Sequence, residues 1–299
     1  MKVISILNNV DEIAVQWVKI ESKNWEELRE LYLPETPETI LGLGIISNYL
    51  RWIQRDASIA NLTFYSLNGD WSDGTFVVVD RYHVYFDSLS ETKERLTTLL
   101  DLLDYTNGFR IMHVRSKHYP VMLEIIKKKH LLLEYDDSNL LYYLPKHQAT
   151  ALYTELPENF ESRSLSQEDV IKANDEWPFN HAGSLFYLQR LAQFNPCCGV
   201  FTTDGKLVSY GFQYQSGTIG NLYTDPAYRN RGFGSSIAKT IFKQTGEHGG
   251  AIATVKRTNA ASRAIFEKIG CQVIDEVHWI AIPCRWTEED DMTLSDGSN

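Results

Sequence analysis

The chain has 299 residues, 43% hydrophobic and 23% charged, with a net charge of −10. That length suits two medium domains better than one, and the negative balance argues against a nucleic-acid partner, whose phosphates call for clustered basic side chains. No run reaches the ~18–20 apolar residues of a membrane span, so no membrane partner is expected.

At the start, residues 1–9 lack both the apolar core of a signal peptide and the arginine-rich pattern of a transit peptide. Apolar spacing then predicts helices over residues 11–33 and 36–55. Gly42-Leu43-Gly44 falls inside the second; with no strand before it, it reads as a flexible interruption rather than a phosphate loop. Strands follow at 62–67, 75–80 and 82–89. The last two lie too close together for a parallel crossover and read as a hairpin or one bent strand. A helix over 91–103, a strand over 110–114, a helix over 119–129 and strands through Tyr143 complete a first α/β unit, residues 1–145. Residues 146–160 are polar, preceded by Pro145 and interrupted by Pro157, the pattern of a linker.

In the second half a helix begins within 166–174, and the aromatic turn Glu176-Trp177-Pro178-Phe179-Asn180-His181 leads to a helix over 185–194. Three strands follow, at 198–202, 207–215 and 218–223, the first two joined by the hairpin signal Asp204-Gly205. The third ends at Thr224-Asp225-Pro226. Behind it stand Arg229-Asn230-Arg231-Gly232-Phe233-Gly234-Ser235, then Ile237, Ala238 and Ile241 at helical spacing. A strand, a glycine-bearing turn and a helix start can hold a phosphate: free N–H groups and the macrodipole favour the anion, and guanidinium groups suit bidentate contacts. The spacing matches neither a dinucleotide fingerprint nor a P-loop. A strand over 251–255, a helix over 262–269 capped by Asn259 and closed by Gly270, and a closing strand pair finish the unit.

Residues 287–299 carry five acidic side chains and no basic one, which leaves −5 on residues 1–286; with little to bury, this tail is expected to be disordered. Cys197, Cys198, Cys271 and Cys284 form no Cys-x-x-Cys pair, and no histidine stands at zinc-finger spacing, so no metal is expected. A reducing, cytoplasmic setting fits these cysteines best.

Arg-x-x-Gly-x-Gly behind Leu222-Tyr223-Thr224-Asp225-Pro226, followed in register by Asn259-Ala260-Ala261-Ser262-Arg263-Ala264-Ile265-Phe266-Glu267-Lys268-Ile269-Gly270, resembles the acyl-CoA signature of the GNAT acyltransferase superfamily. Asn195-Pro196-Cys197-Cys198-Gly199-Val200 and His278-Trp279-Ile280-Ala281-Ile282-Pro283-Cys284 resemble glycine N-acyltransferase-like proteins of the invertebrate type. The likeness is detailed over about residues 160–286. It implies an α+β (mixed α/β) GNAT fold for residues 161–286. The order of elements in 110–144 resembles that in 251–282, so residues 1–145 read as a second, diverged GNAT-like α/β domain. That copy has no cofactor loop, since no Arg-x-x-Gly-x-Gly occurs within 80–110.

The resemblance implies an acyl-CoA-dependent N-acyltransferase. Acetyl-CoA or another acyl-CoA would be co-substrate, and the amine of a small molecule or amino acid would attack directly in a ternary complex. A protein N-terminus or lysine as acceptor, and a non-catalytic module binding acyl-CoA or a partner, are the alternatives. The cofactor would lie along Leu222, Tyr223 and Thr224, with its pyrophosphate on Arg229, Asn230, Arg231, Gly232, Phe233, Gly234 and Ser235, and would also meet Asn259, Ser262 and Phe266. The Leu222 N–H would polarise the thioester carbonyl.

Two positions depart from the pattern. Phe266 stands where the superfamily usually has a proton-donating tyrosine; either water or another group then protonates the thiolate, or, with a pKa of ~8.5, it leaves unassisted. Thr218 stands where glycine-acyltransferase-like relatives are expected to carry a glutamate base. Glu176, His181, Asp225 and His278 are substitute bases, alongside a relay of waters; histidine titrates in the useful range. Trp177, Phe179, Phe186 and Tyr187 are candidates for an acceptor-pocket wall.

Overall fold

The structure is a computed structural model that describes residues 15–34 and 37–286; the expectations for residues 1–9 and for the acidic tail lie outside them. The region predicted as a helix over 11–33 instead holds a strand, Trp17–Ile20 (β1), and the helix is confined to Trp25–Tyr32 (α1). Tertiary pairing overrides the helical spacing here, because Trp17 to Ile20 register against Leu67 to Phe64 of the next strand. The first half continues with α2 (Ile40–Arg55), β2 (Leu62–Leu67), β3 (Phe76–Asp80), β4 (His83–Asp87), α3 (Glu94–Leu102), β5 (Arg110–Arg115), α4 (Tyr119–Lys128) and β6 (Tyr135–Leu144). A short helix, α5 (Lys146–Thr150), opens the predicted linker. Its Ala149 is fully buried against Gly246, where a Cβ would come within 2.4 Å.

The second half runs β7 (Phe160–Arg163), α6 (Gln167–Glu176), α7 (Ser184–Phe194), β8 (Cys197–Thr202), β9 (Leu207–Gln213), β10 (Thr218–Thr224), α8 (Phe233–Thr245), β11 (Ala251–Lys256), α9 (Ala260–Ile269) and β12 (Gln272–Ala281). Its order of strands and helices repeats that of the first half, element for element. The diverged second copy expected in residues 1–145 is therefore present. Where the sequence suggested a closing strand pair, each copy has one long strand.

The described strands form one sheet, in the order β1-β2-β3-β4-β5-β12-β6-β11-β10-β9-β8-β7. The order is the same from either end once corresponding strands are matched. At its centre the copies exchange their last strands: β12 lies between β5 and β6, and β6 between β12 and β11, all antiparallel. The exchange places β6 of the first half directly beside β11 of the second.

One sheet face carries α1, α2, α6 and α7 over a continuous core that includes Tyr49, Trp52, Phe64, Leu188, Leu191 and Phe212. The other face has two cores, under α8 and α9 and under α3 and α4. Ile237, Ala238 and Ile241, the residues whose spacing announced α8, are all fully buried, worth about 1.5–3 kcal/mol for each isoleucine. Gly42 and Gly44 do not interrupt α2. A Cβ on Gly42 would meet the Tyr32 ring at 2.3 Å and one on Gly44 the Ser216 carbonyl oxygen at 2.5 Å, so they let α2 approach both neighbours closely. The halves are further tied by Trp52 Nε1 donating to Asn195 Oδ1 (2.6 Å) and Arg55 donating to the Phe194 carbonyl (2.9 Å).

Candidate functional site

The parallel strands β10 and β11 pair only at Thr218↔Ile252 and Ile219↔Ala253 and then part. On its other side β10 carries a bulge. Its register with β9 passes from Gly220↔Phe212 to Tyr223↔Tyr210, so Asn221 and Leu222 together oppose one residue. Asn221 sits at φ +47, a left-handed conformation that asparagine tolerates better than most residues. Leu222 thus has no register partner on either side. Its side chain packs against the α8 core, and the residue lines a cavity of about 290 Å³. Gly220 is required here, because a Cβ would lie 1.9 Å from Tyr214 Cε2.

The arginine–glycine loop follows β10 beyond the point where β10 and β11 part, and none of Arg229 to Ser235 lines the cavity. Asn230 and Gly232 have φ of +63 and +86, and the first helical bond of α8 runs from Ser236 N–H to the Gly232 carbonyl (2.9 Å). Phe233, Gly234 and Ser235 therefore open α8 with N–H groups lacking intrahelical acceptors. Arg229 and Arg231 are exposed; Arg229 Nε donates to the Thr224 carbonyl (3.2 Å) and Arg231 lies 5.2 Å over the Tyr228 ring. The Phe233 side chain is core, packed on Phe160, so only its backbone faces the loop. Gly234 serves close packing, since a Cβ would be 3.1 Å from Ile265. Across the cleft Asn259 caps α9 through Ser262 N–H (3.1 Å), and Asn259, Ser262 and Phe266 all line the cavity.

Of the four candidate bases, two reach this cavity. Glu176 lines it, 4.0 Å from Lys172 and beside Tyr210. His181 lines it too, but both ring nitrogens are engaged: Nδ1–H donates to the Phe179 carbonyl (2.9 Å), which leaves Nε2 to accept from the Tyr82 hydroxyl (3.0 Å). Burial lowers its pKa to about 4. Asp225 lies outside, held by Lys206 (3.0 Å) and by Ala227 N–H. His278 lies outside as well. It stacks on Tyr119 at 3.5 Å and contacts Asp136 at 2.7 Å, because alternation along β12 sends its neighbour Trp279 to the cavity instead. Thr218 is fully buried, its hydroxyl on Ser216 (2.9 Å) and on His113 Nε2 (3.2 Å). Trp177, Phe179 and Tyr187 wall the cavity, whereas Phe186 lies under the Arg81 guanidinium at 4.3 Å.

Several lining residues carry no local sequence signal. His83, Arg110, Tyr135, Asp137 and Asn139 belong to the first half and Trp279 to β12. Only the strand exchange brings them to the cleft. Arg110 donates to the Tyr135 hydroxyl (2.9 Å) and lies 3.7 Å from Glu134, and Asp137 pairs with Lys256 (2.9 Å). Among the described residues no group of three metal-ligating side chains gathers, and no helix is long and apolar enough to cross a membrane.

Residues 198–280 match the family model described as FR47-like protein. No protein of curated function matches the chain. Among solved structures, a Drosophila protein solved by X-ray crystallography as a structural genomics target is 24% identical, covers 89% of this chain and 98% of its own, and superposes with a TM-score of 0.80. A tandem GNAT protein from the clavulanic acid biosynthesis pathway is 10% identical over 90% of this chain and 98% of its own, with a TM-score of 0.52. A putative acetyltransferase from Pyrococcus horikoshii is 11% identical over 94% and 95%, with a TM-score of 0.54. Palindromic sheet, parted parallel strands and these likenesses agree on one point: the chain has the GNAT fold, built twice in tandem.

Proposed function

We propose that this protein is an acyl-CoA-dependent N-acyltransferase. It takes an acetyl or other acyl group from CoA and passes it to the amine of a small molecule or amino acid by direct attack in a ternary complex. The observation that carries this reading is the unpaired β10 segment at Asn221 and Leu222, bordering the cavity and leading to the free N–H groups of α8. The Leu222 N–H polarises the thioester carbonyl, a donor whose loss typically costs about 3 kcal/mol of barrier. The loop from Arg229 to Ser235 holds the pyrophosphate, and Tyr223 and Thr224 offer backbone groups to the pantetheine arm, as a sheet edge pairs with an added strand. Phe266 packs between Phe242 and Tyr142 and donates no proton, so the thiolate leaves unassisted. Likeness to glycine N-acyltransferases, on the motifs from Asn195 and from His278, and a cytoplasmic setting with four unpaired cysteines belong to the same reading.

The test is thermal unfolding with acetyl-CoA, benzoyl-CoA or free CoA, for wild type and for Arg231→Ala with Gly232→Asp. A midpoint rise confined to wild type supports the reading, and stabilisation by RT ln(1 + [L]/Kd) ranks the acyl groups. No rise at millimolar concentration removes the cofactor assignment. A second reading, a binding module without turnover, draws on Phe266 and Thr218 at the two usual catalytic positions. Binding with no CoA release over an amine panel would favour it.

A further inference from the structure

His83 is the first residue of β4 in the copy that has no cofactor loop, and its register partner across the parallel pair is Arg110. Both line the cavity of the other copy. The His83 side chain is 3% exposed. Its ring is stacked on Tyr187 at 4.7 Å and lies 4.3 Å from Tyr82, and among the described residues neither ring nitrogen has a hydrogen-bond partner. Neither nitrogen is among the fully enclosed, unpartnered atoms of the described residues, so the ring stays open to approach, and His83 lines the cavity. Tyr187 in turn neighbours Tyr214 at 6.2 Å, whose ring covers Gly220 at the start of the bulge. One aromatic wall therefore connects His83 with the backbone that borders the thioester position.

Resting on the acyltransferase reading above, we infer that His83, supplied by the N-terminal copy, is the base that takes the proton from the acceptor nitrogen. The other candidates are committed or remote: His181 uses both nitrogens, Glu176 sits beside Tyr210 and Lys172, and Asp225 and His278 lie outside the cavity. In the step, the amine nitrogen forms a bond to the thioester carbonyl carbon, the carbon–sulfur bond breaks, and CoA leaves as thiolate. The proton lost by nitrogen passes to His83 and from there through solvent to the sulfur, so amine and thioester become amide and thiol.

The surroundings keep the imidazole unprotonated and its lone pair free. Burial lowers its pKa first of all, and Arg81 from the β3–β4 turn, His181 from the α6–α7 loop, Arg110 from β5 and Arg190 from α7 push it the same way. The tyrosines packed on it, Tyr82, Tyr85 and Tyr187, add rings and no positive charge.

The test compares wild type with His83→Gln, which keeps volume and polarity without basicity, and with His83→Ala. CoA release is measured against pH with glycine, tyramine and spermidine as acceptors and with water alone, since hydrolysis needs the same base. Acyl-CoA thermal shift is the control for folding and cofactor binding. The expected result is an unchanged thermal shift, a KM for acyl-CoA within about threefold, a kcat lower by about 10²–10⁴-fold, and loss of the acidic limb of the rate profile. A His83→Gln protein that retains wild-type kcat and that limb, with amine or with water, overturns the assignment of His83 and leaves the acyltransferase reading intact. A wild type that shows no shift with any acyl-CoA overturns both.

Discussion

Asp87 Oδ1 and His118 Nε2 lie 2.8 Å apart, both side chains buried, at the positions of the N-terminal copy that correspond to Thr224 and Asn259 in the C-terminal one. Asp87 ends β4 as Thr224 ends β10, and His118 precedes α4 as Asn259 precedes α9. Lys117 places a charge 3.2 Å from Asp87, while burial lowers the pKa of His118 itself. In the N-terminal copy this position is thus filled by a buried Asp–His contact, while His83 of β4 and Arg110 of β5 line the other copy's cavity.

That contact has a measurable cost when cut. Burial opposes ionisation of Asp87, yet the His118 hydrogen bond and charge, with Lys117, hold its carboxyl well below the usual range. Its contribution is therefore present above the unfolded value of about 3.9 and is lost as pH falls through the folded one. Asp87→Asn should be less stable than wild type by about 2–3 kcal/mol at pH 7, with the gap narrowing below about pH 4. Urea unfolding at several pH values checks this, and the acyl-CoA thermal shift should persist.

His113 offers a cleaner titration. It is buried between Thr218 and Thr254, and burial lowers its pKa to about 3. Between that value and the ordinary 6.5 the unfolded chain binds the extra proton, so stability falls as pH drops through this window, by up to about 1.4 kcal/mol per pH unit. His113→Asn should flatten the profile by that slope. Asparagine also accepts the φ of +60 at this position.

At the bulge, Gly220→Ala should harm turnover more than binding. The added methyl must displace Tyr214 and with it the backbone at Leu222. A shift of about 1 Å can cost on the order of a hundredfold in rate. Steady-state kinetics beside the acyl-CoA thermal shift would separate the two effects.

Across the halves, Arg190 on α7 pairs with Asp80 on β3, both side chains at most 9% exposed, and Asp80 also accepts from Tyr49 (2.9 Å). Arg190→Met alone should destabilise by about 3–5 kcal/mol, because it leaves a buried carboxylate unpaired. Adding Asp80→Asn should recover part of that loss in a double-mutant cycle.

The exchanged strands make a further claim about folding. Residues 146–286 alone lack β6 and would expose an edge of β11 from Ala251 to Lys256. This fragment should be aggregated by size-exclusion chromatography. Co-expression with residues 1–145 should restore a soluble, cooperatively folded complex.

Much of the second half was legible because its signals are local. The apolar positions of α8, the Asn259 cap, the Gly270 stop at φ +102 and the glycine-bearing loop each depend on a few adjacent residues. The strand at β1 and the role of Gly42 and Gly44 were not legible, because they answer to partners distant in sequence: Leu67 to Phe64 for the strand, Tyr32 and Ser216 for the glycines.

By itself the sequence determined a repeated mixed α/β unit and the position of one glycine-bearing helix start, since backbone conformation and helical periodicity are written in neighbouring residues. The tertiary structure alone decided which side chains share the cleft. It removed Asp225 and His278 from the cavity and brought in His83, Arg110 and Trp279. The reason is that a strand inserted between two others takes its position from hydrogen-bond pairing along its whole length, and nothing in the residues of β12 or β6 alone states which partners lie on either side.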